Sequence, residues 1–205
     1  REREKERPPK LSRTPGTAGR TPSHIEVRVI GLRGVRLAQA LEGTKPTGII
    51  MVGFAGALDP SLRVGDVVID DCPPAWIPQM AHRRGKICCA DSIVGTPSAR
   101  QALFNKTGAL AVDMECTIAR NAAARLGVPF ALVRAISDDA NETLDPAVLG
   151  MVDSDGRARL TAIGVTLLRR PSLIGYLKKL AAASKLACAQ LGTAVAEMAD
   201  EWQRR

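Results

Sequence analysis

Two acidic triplets carry the residues most able to do chemistry. The first is Asp113-Met114-Glu115 and the second is Ser137-Asp138-Asp139, which closes the run RAISDD beginning at Arg134. Glu115 stands at the start of a helical pattern, where the macrodipole favours an ionised carboxylate. Such a carboxylate accepts two hydrogen bonds, as a vicinal diol requires. Asp138 follows an apolar run. A carboxyl there can act as a general acid if it is partly buried and keeps a proton to give. Ser137 and Arg134 are placed to orient it, and Met114 offers an apolar contact. Taken singly, the first triplet is a helix cap and the second a turn. Taken together, with an arginine inside the strand before the second acid, they are more specific.

These side chains need a strand, a helix and a second strand to hold them. Ala109 to Val112 is a short apolar run, and Asp113 can cap the helix that follows. Met114, Ile118 and Ala122 recur at helical spacing, and Gly127 with Pro129 ends the helix. Phe130 to Ile136 is a second apolar run. The stretch reads as a βαβ unit, so Glu115 and Asp138 are expected at the carboxyl edge of a parallel sheet, where open α/β folds place ligands.

The other elements are read in the same way. Ile25 to Gly31 alternates and is β-branched, which predicts a strand, and Val35 to Leu41 predicts a short helix. Thr47 to Phe54 is a buried strand followed by Ala55-Gly56-Ala57. So small a loop lets a ligand approach the backbone, and it is equally a tight turn. LDPSLRVGDVVIDD adds a loop and a strand. Residues 72–86 are Pro-rich and irregular, Ile87 to Val94 is a strand, and Ser98 to Thr107 is a helix. Asp145 to Gly150 could form a helical turn. Residues 153–160 turn into a helix from Ala158 to Leu168. From Ser172 onward Leu173, Leu177, Leu180, Ser184, Cys188 and Leu191 form one helical face, with Lys178, Lys179 and Lys185 elsewhere on the helix. Packing on the sheet is the default reading of this helix; a basic amphipathic membrane contact is the sharper one.

The residues DME at 113–115, RAISD at 134–138 and the order of a glycine-rich turn, a short loop and LRVGDVV resemble the nucleoside phosphorylase and nucleosidase superfamily. The resemblance covers roughly residues 25–168. Within that superfamily LDPSLRVGD, TGALAVDMEC, RAISDDA and LLRRPSLIG look most like the hopanoid-associated phosphorylase group. It implies an α/β three-layer sandwich with a central mixed sheet, lacking the family's first strand. It implies cleavage of the N-glycosidic bond of a purine nucleoside or of an adenosylated lipid of the adenosylhopane type, with release of adenine. Glu115 falls on the ribose-binding glutamate, Met114 on the sugar-packing methionine and Asp138 on the base-protonating aspartate. ADSIV aligns with the segment that holds the base, which places Ile93 and Val94 there. The glycine turn Phe54-Ala55-Gly56 lines the substrate, with Phe54 where many relatives carry serine. Met51 replaces the arginine that phosphorolytic relatives place before that turn, so water is the expected nucleophile. Arg33, near Gly31 and Gly34, is the one nearby cation and reads as a surface arginine. The alternative is a degenerate member that binds a nucleoside without cleaving it.

Composition narrows the partners. The chain has 205 residues, 45% of them hydrophobic, which suits one domain with an aliphatic core over 25–205. Residues 1–24 are charged and Pro/Gly/Thr-rich and are expected to be a disordered basic tail. The net charge of +8 comes from the two ends: residues 1–24 and 169–205 each hold seven Lys/Arg against three acids, and the middle is neutral. That argues against nucleic acid as a partner and allows weak attraction of the ends to an anionic membrane surface. Five cysteines without a CxxC pair, and no secretory signal, lead to an expected cytoplasmic location with reduced thiols. The two histidines have no ligand spacing. No metal or organic cofactor is expected. The partners expected are a nucleoside or adenosylated lipid, peripheral contact with a membrane, and a second copy of the chain in a homodimer.

Overall fold

Phe130–Asp138 is a nine-residue strand in which every residue except Ser137 is buried. A run apolar on both faces must lie in the middle of a sheet with cover on each side. The computed structural model describes residues 25–76, 82–145, 147 and 159–203. The described elements are a 3-10 turn at Leu32–Gly34, helix α1 (Leu37–Leu41), strands β1 (Ile49–Ala57) and β2 (Val67–Asp70), and a 3-10 turn at Pro74–Trp76. Strands β3 (Arg83–Arg84) and β4 (Ile87–Cys89) follow, then α2 (Pro97–Thr107), β5 (Ala111–Asp113), α3 (Cys116–Leu126), β6 (Phe130–Asp138), α4 (Leu160–Arg169) and α5 (Leu173–Gln203).

The strands form one six-stranded mixed sheet in the order β3-β2-β6-β1-β5-β4. β1 runs parallel to β6, while β2 is antiparallel to β6 and β5 is antiparallel to β1. One face packs Met51, Leu132 and Ile136 against Cys116, Ala119 and Ala123 of α3. The other packs Val67, Ile69, Ala131, Val133 and Ala135 against Ala187, Ala194 and Met198 of α5. The α/β three-layer arrangement with a mixed sheet is therefore as expected. Alanine supplies two of the three helix residues named at each interface, which lets the helix backbones come close to the strands.

Several expectations are corrected. β5, α3 and β6 are not a parallel βαβ unit: β1 lies between the two strands, and β5 runs opposite to β6. Ile25 to Gly31 forms no strand and pairs with none among the described residues, and Val27 and Val29 are 82% and 71% exposed. Alternation alone cannot make a strand without a partner edge. The small-residue run Ala55-Gly56-Ala57 is strand, not turn, because Gly56 and Ala57 pair with Val112 and Ala111. The strand predicted over 87–94 ends at Cys89. On α5 the buried line runs through Leu173, Ala187, Ala194 and Met198, and Cys188 is exposed. The 31-residue helix keeps its apolar line at period 3.6, and Ala187 rather than Cys188 lies on it. The 1–24 tail, the helical turn over 145–150 and the turn over 153–160 fall wholly or mostly outside the described residues. Among the described residues no helix is long and apolar enough to cross a membrane.

Candidate functional site

Asp138 ends β6 and is 7% exposed. Ser137 Oγ donates to its Oδ1 at 2.6 Å. Its Oδ2 is paired with the guanidinium of Arg100, a residue the sequence reading passed over. Arg100 is the buried residue of α2, 1% exposed. Thr96 caps α2 by accepting from the Ala99 amide at 3.3 Å, and Pro97 fixes its first turn. One turn on, Arg100 points inward. Its Nε donates to the Val94 carbonyl at 2.9 Å and its Nη1 to the Asp139 carbonyl at 2.7 Å.

Gly56 is where β1 meets this pair. A Cβ at Gly56 would lie 3.0 Å from Asp138 Oδ2 and 3.4 Å from Arg100 Nη1. The register between β1 and β6 shifts between Ala55 and Gly56, which sets Gly56 opposite Asp138. What approaches the backbone at Gly56 is the acid itself, not the ligand expected from the sequence. Ala55 is buried and its carbonyl lies 3.4 Å from Ser137 Oγ. Phe54 is 44% exposed. Ile93 is 43% exposed and Val94 is half-buried, and only the backbone of Val94 is tied to Asp138, through Arg100.

Arg134 does not orient Asp138. It forms a buried ion pair with Asp113, with Nη2 2.6 Å and Nε 2.8 Å from Oδ2. Its guanidinium fills the space beside Gly53, where a Cβ would lie 3.1 Å from Nη1. Asp113 stands two residues before the N-cap position, Glu115, whose side chain makes no cap bond, and its Oδ1 accepts from the Cys116 amide, the first of α3, at 3.1 Å. The first triplet therefore divides its work. Asp113 fixes the helix start to the strand, and Met114 and Glu115 stay half-buried at the helix entrance.

Glu115 Oε1 accepts from the Arg33 backbone amide at 2.8 Å. Arg33 is a non-glycine residue at φ 56 and ψ 18, a left-handed conformation that exposes its amide toward Glu115. Gly34, at φ 65, lets the turn sit on α3, where a Cβ would come 2.9 Å from Ile118 Cγ2. The sequence suggested Arg33 as a cation; the structure engages its backbone. No pattern in Gly31–Gly34 could have announced this, because it depends on one residue's φ.

Because β5 runs opposite to β6, Glu115 and Asp138 are not both delivered by parallel strand ends. Val112 pairs with Gly56, and Gly56 pairs with Asp138, so the chain leaves β5 alongside β1 and away from the β6 terminus. The two carboxylates lie on structure joined through β1.

One cluster could be mistaken for a metal centre. Donor atoms of Cys89, Asp113 and Cys116 lie within 4.8 Å of one another. Both Asp113 oxygens are already engaged, one by the Cys116 amide and one by Arg134. A second cation would face the guanidinium, so the donor set does not fit one. Burial pushes the Cys116 thiol well above its usual range, and hydrogen bonding with Asp113 pushes it further in the same direction.

Comparison with known proteins adds the following. Residues 77–169 match the family model described as "Phosphorylase superfamily". The chain is 34% identical over 134 residues to a 5′-methylthioadenosine/S-adenosylhomocysteine nucleosidase of Staphylococcus aureus (strain JH9), covering 47% of this chain and 59% of the relative. It thus spans less than two thirds of the curated relatives it matches. Among solved structures, S-adenosylhomocysteine nucleosidase from Streptococcus pyogenes in complex with 5-methylthiotubericidin aligns with TM-score 0.48 and 26% identity, over 55% of this chain and 64% of that one. A 5′-methylthioadenosine/S-adenosylhomocysteine nucleosidase from S. pneumoniae with a transition-state inhibitor aligns with TM-score 0.49 and 23% identity, over 65% and 75%.

Proposed function

We propose that this chain is a member of the phosphorylase superfamily that cleaves the N-glycosidic bond of an adenine nucleoside, with Asp138 as general acid and water as nucleophile. The observation that carries the reading is the seating of Asp138. It is a buried carboxyl at a strand end, held by Ser137 on one oxygen and admitted by Gly56. Breaking a purine–ribose bond demands protonation of the leaving base and firm hold on the sugar as it gains positive charge. Asp138 meets the first demand. Glu115 meets the second by exchanging the Arg33 amide for the ribose hydroxyls, with Met114 against the sugar and Val94 and Ile93 beside the base. The S. aureus similarity supports an adenine nucleoside over other purines.

Adenine release from 5′-methylthioadenosine, followed by chromatography with and without phosphate, tests this. Asp138→Asn should lower turnover about 10²–10⁴-fold while the substrate still binds. Turnover that persists in Asp138→Asn refutes the assignment.

The finer proposal is an adenosylated lipid of the adenosylhopane type, as in the hopanoid-associated group. Its support is an apolar and basic patch around the α4–α5 junction. Leu168 is 86% and Ile174 45% exposed, and Lys178 and Lys185 project from α5. A peripheral membrane contact there would meet an insoluble substrate at its source. A second reading, binding without cleavage, is favoured by one observation: in this structure Glu115 Oε1 already has a donor in Arg33. Calorimetric binding of 5′-methylthioadenosine without adenine release would select it.

A further inference from the structure

We propose that Arg100 is a positioning residue for proton transfer from Asp138, a role that rests on the nucleosidase reading above. Three segments converge on its guanidinium. Nη2 pairs with Asp138 Oδ2, Nη1 donates to the Asp139 carbonyl and lies 3.4 Å from the carbonyls of Ala57 and Asp138, and Nε donates to the Val94 carbonyl. Arg100 therefore joins the end of β1, the end of β6 and the segment beside Ile93 and Val94 to one buried charge. A guanidinium has five N–H donors in a fixed fork. Lysine could supply the charge but not this set of directions. A helix need not bury an arginine to cover a sheet, and α2 buries no other side chain in full.

The consequence for the reaction follows from charge. In cleavage the proton moves from Asp138 to a ring nitrogen of the purine. The bond from C1′ to the base breaks and its electron pair goes to the base. Water adds at C1′ and releases its own proton to solvent. Asp138 thereby gains a full negative charge during bond breaking. That charge forms against a guanidinium already in place and already desolvated, so no reorganisation is needed at that moment. With Oδ2 held by Arg100, transfer to the base runs from Oδ1, with the Ser137 hydroxyl turned from Oδ1 to the Ala55 carbonyl, 3.4 Å from Oγ.

Arg100 acts on protonation of the leaving group, so its removal should be visible only where that step matters. Two substrates separate the cases: 5′-methylthioadenosine, whose base must be protonated, and 4-nitrophenyl β-ribofuranoside, whose phenolate leaves without a proton. Arg100→Met should slow the first about 10²-fold. KM for the first substrate, and turnover of the second, should stay within about threefold of wild type. Arg100→Lys should recover part of the lost rate. Equal losses on both substrates, or no loss on either, in a variant with wild-type circular dichroism would overturn the proposal. If Arg100→Met does not fold, Arg100→Lys alone decides, through a rate ratio between the two substrates shifted toward the nitrophenyl riboside; an unchanged ratio refutes it. If the wild type cleaves neither substrate, the nucleosidase reading fails on its own. Arg100 is then tested by calorimetry with 9-deazaadenine, whose ring N–H can donate to Asp138. Binding should weaken about 10-fold in Arg100→Lys or Arg100→Met, and equal affinity would end the proposal.

Discussion

Replacing Asp113 by asparagine isolates the buried ion pair beneath the candidate site. The side chains of Arg134 and Asp113 are 2% and 1% exposed, so screening by solvent is slight. Asparagine keeps an acceptor for the Cys116 amide, so that hydrogen bond survives. With its single oxygen on the Cys116 amide, it turns its NH2 group toward Arg134, which leaves a desolvated guanidinium uncompensated. Removing one partner of such a pair typically costs about 3–5 kcal/mol. For a chain of this size about 1 kcal/mol moves the midpoint by roughly 2–4 °C, so Tm should fall by about 6–20 °C. Urea unfolding followed by circular dichroism gives the free energy directly, provided the transition is two-state. Arg134→Met alone should also destabilise, by stranding the carboxylate. The double variant Asp113→Asn with Arg134→Met should recover much of the loss, because neither charge remains; the coupling is read from the cycle. A loss below about 1 kcal/mol in Asp113→Asn would refute the claim that Arg134 depends on Asp113 for its charge.

Other outcomes follow from the same geometry. Gly56→Ala puts a methyl 3.0 Å from Asp138 Oδ2, so the acid must shift; adenine release should fall at least about 10-fold with less than about 2 kcal/mol lost in urea stability. Glu115→Gln should weaken ribosides far more than 2′,3′-dideoxyribosides in calorimetry, since only ribosides offer the diol, and equal losses would leave Glu115 a structural partner of Arg33. Burial pushes the Cys72 thiol up to about 11. Its thiolate fraction therefore rises with pH until about that value, and iodoacetamide labelling of Cys72 should climb about tenfold per unit between pH 7 and 10. The protein should co-sediment with anionic vesicles at low salt, and Lys178→Glu with Lys185→Glu should release it without unfolding. Lys179 is the poorer target because it holds Glu142 at 3.1 Å.

The local chemistry of the chain was written in residue order. The apolar run 130–136 read as a strand, Gly127 ended α3 at φ 65, and DME and RAISD singled out Asp138, Ser137 and Glu115 as candidates. These are short-range matters of propensity, capping and periodicity. That the long C-terminal helix packs on the sheet was legible too, because a 3.6-residue period persists over many turns, although of the face read from it only Leu173 is buried. Direction and partnership were not legible. Nothing in Ala109 to Asp113 states that this strand runs antiparallel to its neighbour, because a three-residue strand carries the same side chains either way. Nothing in SARQALF singles out Arg100, since an arginine on a polar helix looks solvated until a buried carboxylate lies opposite it. Arg134 shows the same limit. It sits four residues from Asp138 in sequence, yet it pairs with Asp113 across β1, beside the space Gly53 leaves. Which charge neutralises which is decided by the lateral order of strands, a long-range property set only when the sheet assembles.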